Sequence, residues 1–234
     1  MEKESADRKY TKKEIEQYVY EIAGKEMNQA AVYKRINRLI RSGAIARVGQ
    51  GLYCFSDKKQ YDYALETPLS RKVLNFLRVS YPNLEFVIYE STILNEFLNH
   101  LLAHSITIVE AKKGYSENIF WKLQELGFKG VMLNPTDDER YRYDPSIIVK
   151  NMVSKSPIQA KKNKITIEKL AVDIICDNLL NQFYQGAEKA HMIEEIFDKY
   201  ALKYDSIKNY AKRRSAFDLF LKYVPEEERN HFDD

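Results

Sequence analysis

The sequence predicts a mixed α/β chain in two parts, and three observations predict it. Over the first sixty residues the apolar spacing is helical twice and then switches to short β-prone runs around glycines. From about residue 65 strand-like and helix-like segments alternate, the pattern of βαβ units and a sheet covered by helices. Beyond residue 165 the pattern is helical almost to the end. Length and composition agree, since 234 residues suffice for two ordinary domains. At 44% apolar and 30% charged residues, with 8 Gly and 6 Pro, disordered, collagen-like and low-complexity classes are excluded.

The elements follow in order. Thr11-Lys12-Lys13-Glu14 has the Thr-x-x-Glu form of a capping box, and Ile15, Tyr18, Val19 and Ile22 follow at helical spacing, predicting a helix over about 12–22 that Gly24 ends. Asn28 can cap a second helix whose stripe is Val32, Ile36, Leu39 and Ile40, ended by Gly43. The runs 44–48 and 52–55 flank Gly49-Gln50-Gly51 and predict a hairpin. Helix, helix, hairpin is the order of a winged helix-turn-helix, which sets a first domain at 1–60. After a polar linker over 56–66, a second domain at 65–224 is expected. Its helices are 69–79, 92–103 and 117–126, and its strands 84–89, 105–110, 130–133 and 147–149, with a polar loop at 137–143. Helices over about 167–179, 188–200 and 206–223 form its helical C-terminal part, and the acidic tail from Pro225 is expected to fray.

The net charge of +3 is small but unevenly placed. Residues 1–60 hold 13 Lys and Arg against 8 Asp and Glu, while the remainder holds 24 against 26. Lys25, Lys34, Arg35, Arg38, Arg41 and Arg47 face Glu26 alone between positions 25 and 50. Nucleic acid is the partner such a patch fits, and four arginines between 35 and 47 supply the side chain best shaped for phosphate and guanine. On the second helix the face opposite the apolar stripe carries Lys34, Asn37, Arg38 and Arg41, with Asn28, Gln29 and Tyr33 near its start. The hairpin adds Arg47 and Gln50. These nine residues are the expected DNA contacts, the early ones toward base edges and the later ones toward phosphates.

Several classes are set aside. Apolar runs such as 86–89 and 106–109 fall far short of the ~20 residues that cross a bilayer, and the charged first fourteen residues carry no secretory signal, so a cytoplasmic protein without a membrane partner is expected. Cys54 and Cys176 are distant from one another, read as buried thiols and form neither a disulfide framework nor a zinc site. No catalytic residue, metal or cofactor is expected.

A likeness to a family rests on three stretches. Arg38-Leu39-Ile40-Arg41-Ser42-Gly43-Ala44-Ile45-Ala46-Arg47-Val48-Gly49-Gln50-Gly51-Leu52-Tyr53 resembles the recognition-helix end and Gly-x-Tyr wing of AbiEi-type antitoxins. Ile165-Thr166-Ile167-Glu168-Lys169-Leu170-Ala171-Val172-Asp173 resembles the Glu-Lys-x-x-x-Asp helix start of their antitoxin domain, and Tyr210-Ala211-Lys212-Arg213-Arg214 its Tyr-Ala-x-Arg-Arg element. With Leu94-Asn95-Glu96-Phe97 the likeness runs from about residue 11 to 223. It implies a transcriptional autorepressor that binds operator DNA through the winged helix. It also implies the antitoxin of a type IV toxin-antitoxin system of phage defence, countering a nucleotidyltransferase-type toxin. Glu168, Lys169, Asp173, Tyr210, Arg213 and Arg214 are the antitoxin-domain residues it marks.

Glu110-Ala111-Lys112 at a strand end is the Glu-x-Lys of PD-(D/E)xK nucleases, in which carboxylates hold Mg²⁺, but Pro82-Asn83 supplies no upstream acid. A DNA-binding nuclease with a degenerate site is therefore the runner-up, and an adaptor whose basic helix binds protein the third reading. His100 and His104 stand at i, i+4 on a predicted helix without the zincin glutamate and read as structural. Asp173 and Asp177 are expected to be exposed. Lys212, Arg213 and Arg214 are expected to pair with acidic residues of the C-terminal helices. Trp121 and most of the seventeen tyrosines are assigned to the core, Tyr33 excepted.

Overall fold

Thr11 accepts the amide of Glu14 at 3.3 Å while the Glu14 carboxylate takes the amide of Thr11 at 2.6 Å, so the reciprocal cap read from the sequence starts α1 (Lys12–Ala23). The computed structural model describes residues 8–23, 28–41, 45–55, 58–184 and 186–232, and within them every side chain except those of Arg41, Ala46 and Arg47. The expected helix stops Gly24 and Gly43 lie outside the described residues. Ahead of α1 is β1 (Tyr10–Thr11), and after it comes α2 (Gln29–Arg41), whose Ala31 amide is capped by Asn28 Oδ1 at 2.8 Å. The hairpin is β2 (Ile45–Gly49) and β3 (Leu52–Phe55), turned at Gly51, whose φ of 71° suits a residue without Cβ. β1 pairs with β3 to give a sheet in the order β1-β3-β2. Ile15, Val19, Val32, Ile36, Ile45 and Tyr53 form a separate small core beneath it. Ile22, placed on the same stripe by spacing, is mostly exposed.

The segment expected to be a linker is instead stitched into the second part from Lys58 onward. Lys59 exchanges backbone hydrogen bonds with Lys199 and Ala201, both at 2.9 Å, and Lys58 pairs with Glu228 at 2.8 Å. The buried Glu90 carboxylate accepts from Tyr63 Oη, Ser70 Oγ and the amides of Glu66 and Thr67, all between 2.6 and 2.8 Å. It thereby fixes the start of α3 (Pro68–Ser80).

Beyond α3 come β4 (Phe86–Glu90), β5 (Thr107–Ala111), α4 (Tyr115–Glu125), β6 (Val131–Leu133), α5 (Asp137–Tyr143) and β7 (Ile147–Asn151). The sheet order is β4-β5-β7-β6, antiparallel between β4 and β5 and parallel elsewhere. Alternation splits each strand between two cores. Phe86, Ile88, Val109, Ala111, Ile147 and Val149 meet α3 and α4. Val87, Tyr89, Ile108 and Ile148 meet the C-terminal helices, where the larger core lies. These helices follow a short ribbon, β8 (Ile158–Gln159) with β9 (Lys164–Ile165): α6 (Ile167–Cys176), α7 (Glu188–Lys199), α8 (Tyr204–Arg213) and α9 (Phe217–Leu221). The chain is thus mixed α/β, as the patterning predicts.

Six expectations are corrected. The helix over 92–103 is a single 3₁₀ stretch, Ser91–Glu96. There Ser91 Oγ accepts the Ile106 amide at 3.0 Å and Asn95 Oδ1 the Leu102 amide at 2.8 Å, bonds to backbone further along the chain that hold the segment out of a continuous helix. The loop at 137–143 is α5, started by a capping box between Thr136 and Glu139. The helix over 206–223 breaks between α8 and α9, where Ser215 takes a φ of 53°. The tail does not fray over Glu226–Phe232, because Phe232 is buried among Phe197, Tyr204, Phe217 and Phe220. Trp121 lies 61% exposed on α4, and Cys54 and Cys176 are only half-buried.

Candidate functional sites

The residues expected to meet DNA stand on α2 and the hairpin. Val32 and Ile36 face the small core, so the helical period turns Lys34 and Arg38 outward. Asn28, Gln29, Tyr33, Lys34 and Arg38 are exposed, Asn37 is half-buried, and Arg35 joins them. Tyr33 is 57% exposed, with the Lys12 ammonium 5.6 Å from its ring centre. No described carboxylate pairs with Lys34, Arg35 or Arg38. Arg41 ends α2 and Arg47 lies within β2, their side chains outside the described set. Gln50 is exposed at the hairpin turn, yet that turn is not isolated. Val48 packs on the larger core, and Val48, Gly49 and Gln50 share a depression of about 270 Å³ with Lys203, Asp205 and Ser206 at the start of α8.

The residues marked in the second part do something different, because most of them converge inside the protein. α6 is buried from Ile167 to Ile175, so its charged side chains are buried with it. Lys169 Nζ is fully buried, 3.0 Å from Glu110 Oε1 and hydrogen-bonded to Asp173, which stands one turn further along α6. Asp173 also accepts from Tyr210 Oη at 3.0 Å and lies 3.3 Å from Arg214, both from α8 or its end. Register supplies the rest, since Glu110 on β5 is directly opposite Lys150 on β7, 3.6 Å from the ammonium. Lys150 in turn holds Asp177 at 2.5 Å, and Arg214 lies 3.7 Å from that same carboxylate. Tyr89 Oη donates to Glu110 at 2.7 Å. Three carboxylates therefore meet three cations with no net charge, the condition on which ions are tolerated in a protein interior.

The electrostatics follow from that balance. Against the upward push of burial, the Lys169 and Lys150 ammoniums hold the Glu110 carboxyl below the ordinary carboxylate range. Asp177 is likewise held low against burial, mainly by Lys150. Burial pushes Asp173 up, and Lys169 opposes it. Lys169 is raised well above an ordinary lysine, because Asp173 and Glu110 outweigh its desolvation. Burial pushes the Cys176 thiol up to about 11, away from nucleophilic use at neutral pH.

The sequence expectations fare unequally. Lys169, Asp173, Tyr210 and Arg214 are brought together, whereas Glu168 turns instead to the Lys203 amide at 3.2 Å and Arg213 donates to Ser154 Oγ at 2.8 Å. Asp173 and Asp177 are buried, not exposed. Of the 210–214 cations, Arg214 pairs as expected with an acidic residue of the C-terminal helices, Asp173 on α6, and also with Asp177, whereas Lys212 lies over the Phe217 ring at 5.2 Å. Lys112 is exposed in the turn after β5, while Glu110 faces Lys169 and Lys150, so the Glu-x-Lys pair does not converge. His100 and His104 share no helix, and among the described residues no group of three or more His, Cys, Asp or Glu could hold a metal ion. Neither is any described helix long and apolar enough to cross a membrane. Sequence reasoning missed Tyr89, Lys150 and the linkage of Glu110 to Lys169. The available signal was the run Ile167-Glu168-Lys169-Leu170-Ala171-Val172-Asp173-Ile174-Ile175, apolar on nearly every side, which leaves its charges no route to solvent.

Comparison with known proteins gives little beyond this geometry. None of the curated proteins matches the chain. Among solved structures, the crystal structure of the RV2827C protein from Mycobacterium tuberculosis is similar over 96% of this chain and 75% of that one, at 11% identity and a TM-score of 0.39. Residues 31–230, most of the chain, match a family of unknown function designated DUF6577, and the protein belongs to that family.

Proposed function

We propose that the protein is a DNA-binding transcriptional autorepressor and the antitoxin of a type IV toxin-antitoxin system, acting in the cytoplasm against a nucleotidyltransferase-type toxin. One observation carries the DNA-binding half. Tyr33, Lys34, Arg35 and Arg38 project from α2 while Val32 and Ile36 anchor it to a small core completed by the hairpin. A helix packed on one face and cationic on the other, followed by a β-hairpin, is what a winged helix presents to a major groove. Lys34, Asn37 and Gln29 would meet base edges, and Arg38, Arg41, Arg47 and Gln50 phosphates. The antitoxin half is supported by the sequence resemblance, and four of the residues that carry it, Lys169, Asp173, Tyr210 and Arg214, cooperate in one buried network. On this reading they hold the antitoxin domain in shape and do not themselves touch the toxin.

The test is a mobility-shift assay with DNA from upstream of the protein's own gene, alongside a reporter driven by that DNA. The proposal expects a discrete shifted complex and repression, both lost in Arg38→Ala combined with Arg41→Ala. Co-expression with a neighbouring nucleotidyltransferase tests the second half, with restored growth as the expected outcome. Equal shifting of unrelated DNA would overturn the repressor reading, and unrelieved toxicity the antitoxin reading.

A further inference from the structure

Three depressions of about 300, 560 and 660 Å³ have Arg140 in their linings; the first two lie at the carboxyl ends of the parallel strands β6 and β7, and the third lies toward the amino ends of β5 and β7, beside Ile106, Asp144 and Pro145. The sequence builds this corner by a sharp turn. Asn134, with a φ of 41°, follows β6 and accepts the Asn151 amide at the end of β7 at 3.0 Å. The capping box of Thr136 and Glu139 then starts α5, which places Arg140 one turn in. Arg140 is 8% exposed, and its Nε–H has no hydrogen-bond partner among the described residues. One terminal nitrogen meets Asp137, whose own side chain is 69% exposed. A buried guanidinium donor left without a partner is unfavourable, so such a donor beside a cavity points to an acceptor that comes from outside.

The 300 Å³ cavity supplies the remainder of a site. Its lining includes Arg140, Lys150 and Arg214 against the single carboxylate Asp177, with the amides of Asn151 and Asn178 beside them. Asp177 is shared by Lys150 and Arg214, and Glu110 and Asp173 lie behind it, turned toward Lys169. The carboxyl ends of parallel strands are where α/β sheets receive ligands, and a guanidinium presents two parallel N–H groups to an oxyanion. The 660 Å³ depression on the other side of Arg140 is lined by Tyr141 and Phe183 but also by Asp137, Asp138 and Asp144, so it has room only for a portion of the same molecule that carries no negative charge. We infer that this pocket binds the phosphoryl group of a small phosphorylated molecule, with Arg140 as its fork and Lys150 and Arg214 as flanking charges. The site is remote in sequence from the α2 surface and does not depend on the DNA-binding reading.

Isothermal titration calorimetry of the full chain with inorganic phosphate, AMP and malonate tests it. Saturable binding of phosphate or AMP, with malonate weaker, is the expected result; AMP binding tighter than phosphate would add the Tyr141 side to the site. Arg140→Gln should weaken binding roughly tenfold or more and Arg140→Lys less, each with an unchanged far-UV spectrum and melting transition. Arg38→Ala with Arg41→Ala should bind AMP as the unaltered chain does. The inference is overturned by no saturable heat with phosphate or AMP, by malonate binding as tightly as phosphate, by Arg140→Gln binding unchanged, or by loss of binding in the α2 variant.

Discussion

Lys34 and Lys169 carry the same charge in opposite settings. Lys34 stands in solvent on α2, with no carboxylate of the described residues paired to it, over a core of six buried residues. Lys169 is fully buried between Glu110 and Asp173, in the largest core of the molecule. An exposed cation contributes little to folding and keeps its field for a partner; one enclosed as Lys169 is, with no exposed surface between two carboxylates, is committed to its neighbours. The contrast shows that charge count alone cannot locate a functional surface in this chain. The 161–169 and 210–214 stretches are as basic as parts of α2, yet Lys169 is enclosed by Glu110 and Asp173, and Arg214 is turned inward to Asp173 and Asp177 at the edge of a cavity.

The largest expected effect breaks the buried side of that comparison. Lys169→Met leaves Glu110 and Asp173 facing each other without their shared cation and should cost about 3–5 kcal/mol, roughly 10 °C or more in Tm for a chain of this size. Lys34→Met should change Tm by no more than about 0.5 kcal/mol equivalent, as surface substitutions do. Thermal melts of the two variants measured together check both, and equal losses would mean that the network does not hold the domain.

Glu90→Gln comes next. The carboxylate receives four hydrogen bonds, from Tyr63, Ser70 and the amides of Glu66 and Thr67, which together hold it below the ordinary range despite burial. Loss of charge-assisted bonds should cost about 1.5–3 kcal/mol at pH 7. The pH dependence has a definite sign. Glu90, Glu110 and Asp177 titrate lower in the folded than in the unfolded chain, so their stabilisation is complete above the unfolded carboxyl range and is lost as pH falls through the folded values. Asp173, raised by burial, acts in the opposite sense, as one group against three. Tm should therefore fall steeply below about pH 4, and the gap between the unaltered chain and Glu90→Gln should narrow there. A gap that stays constant down to pH 2.5 would contradict this.

A smaller effect separates the two halves functionally. In the full chain, Arg38→Ala with Arg41→Ala should still neutralise a co-expressed toxin while losing repression, because α2 stands apart from the network of Lys169, Asp173 and Tyr210. Loss of both activities together would place the two functions on one surface.

Much of this fold was legible in the sequence where local signals were strong. Thr11 and Glu14, Asn28, the glycines of the hairpin and the alternating runs that became β4, β5 and β7 each specify an element by short-range chemistry. The same Thr-x-x-Glu signal starts α5 at Thr136 and Glu139, but it stands in a polar stretch with no apolar stripe to mark a helix. The run at 92–103 had helical spacing, but Ser91 and Asn95 bond to distant backbone and win locally. The α2 surface could be read from period alone because it faces outward. The buried network could not, since the register of Glu110 against Lys150 and the meeting of α6 with α8 are tertiary facts. The docking of the hairpin turn at the start of α8 is another.

On the proposed reading, α2 and the hairpin grip DNA through their exposed cations. Fluorescence anisotropy with DNA from upstream of the gene, titrated across salt concentrations, tests it most directly. If four to six phosphates are neutralised, log K should fall against log salt with a slope of roughly −4 to −5, and Arg38→Ala with Arg41→Ala should weaken binding and lower that slope by about 2. A flat salt dependence, or a slope that the double variant leaves unchanged, would contradict it.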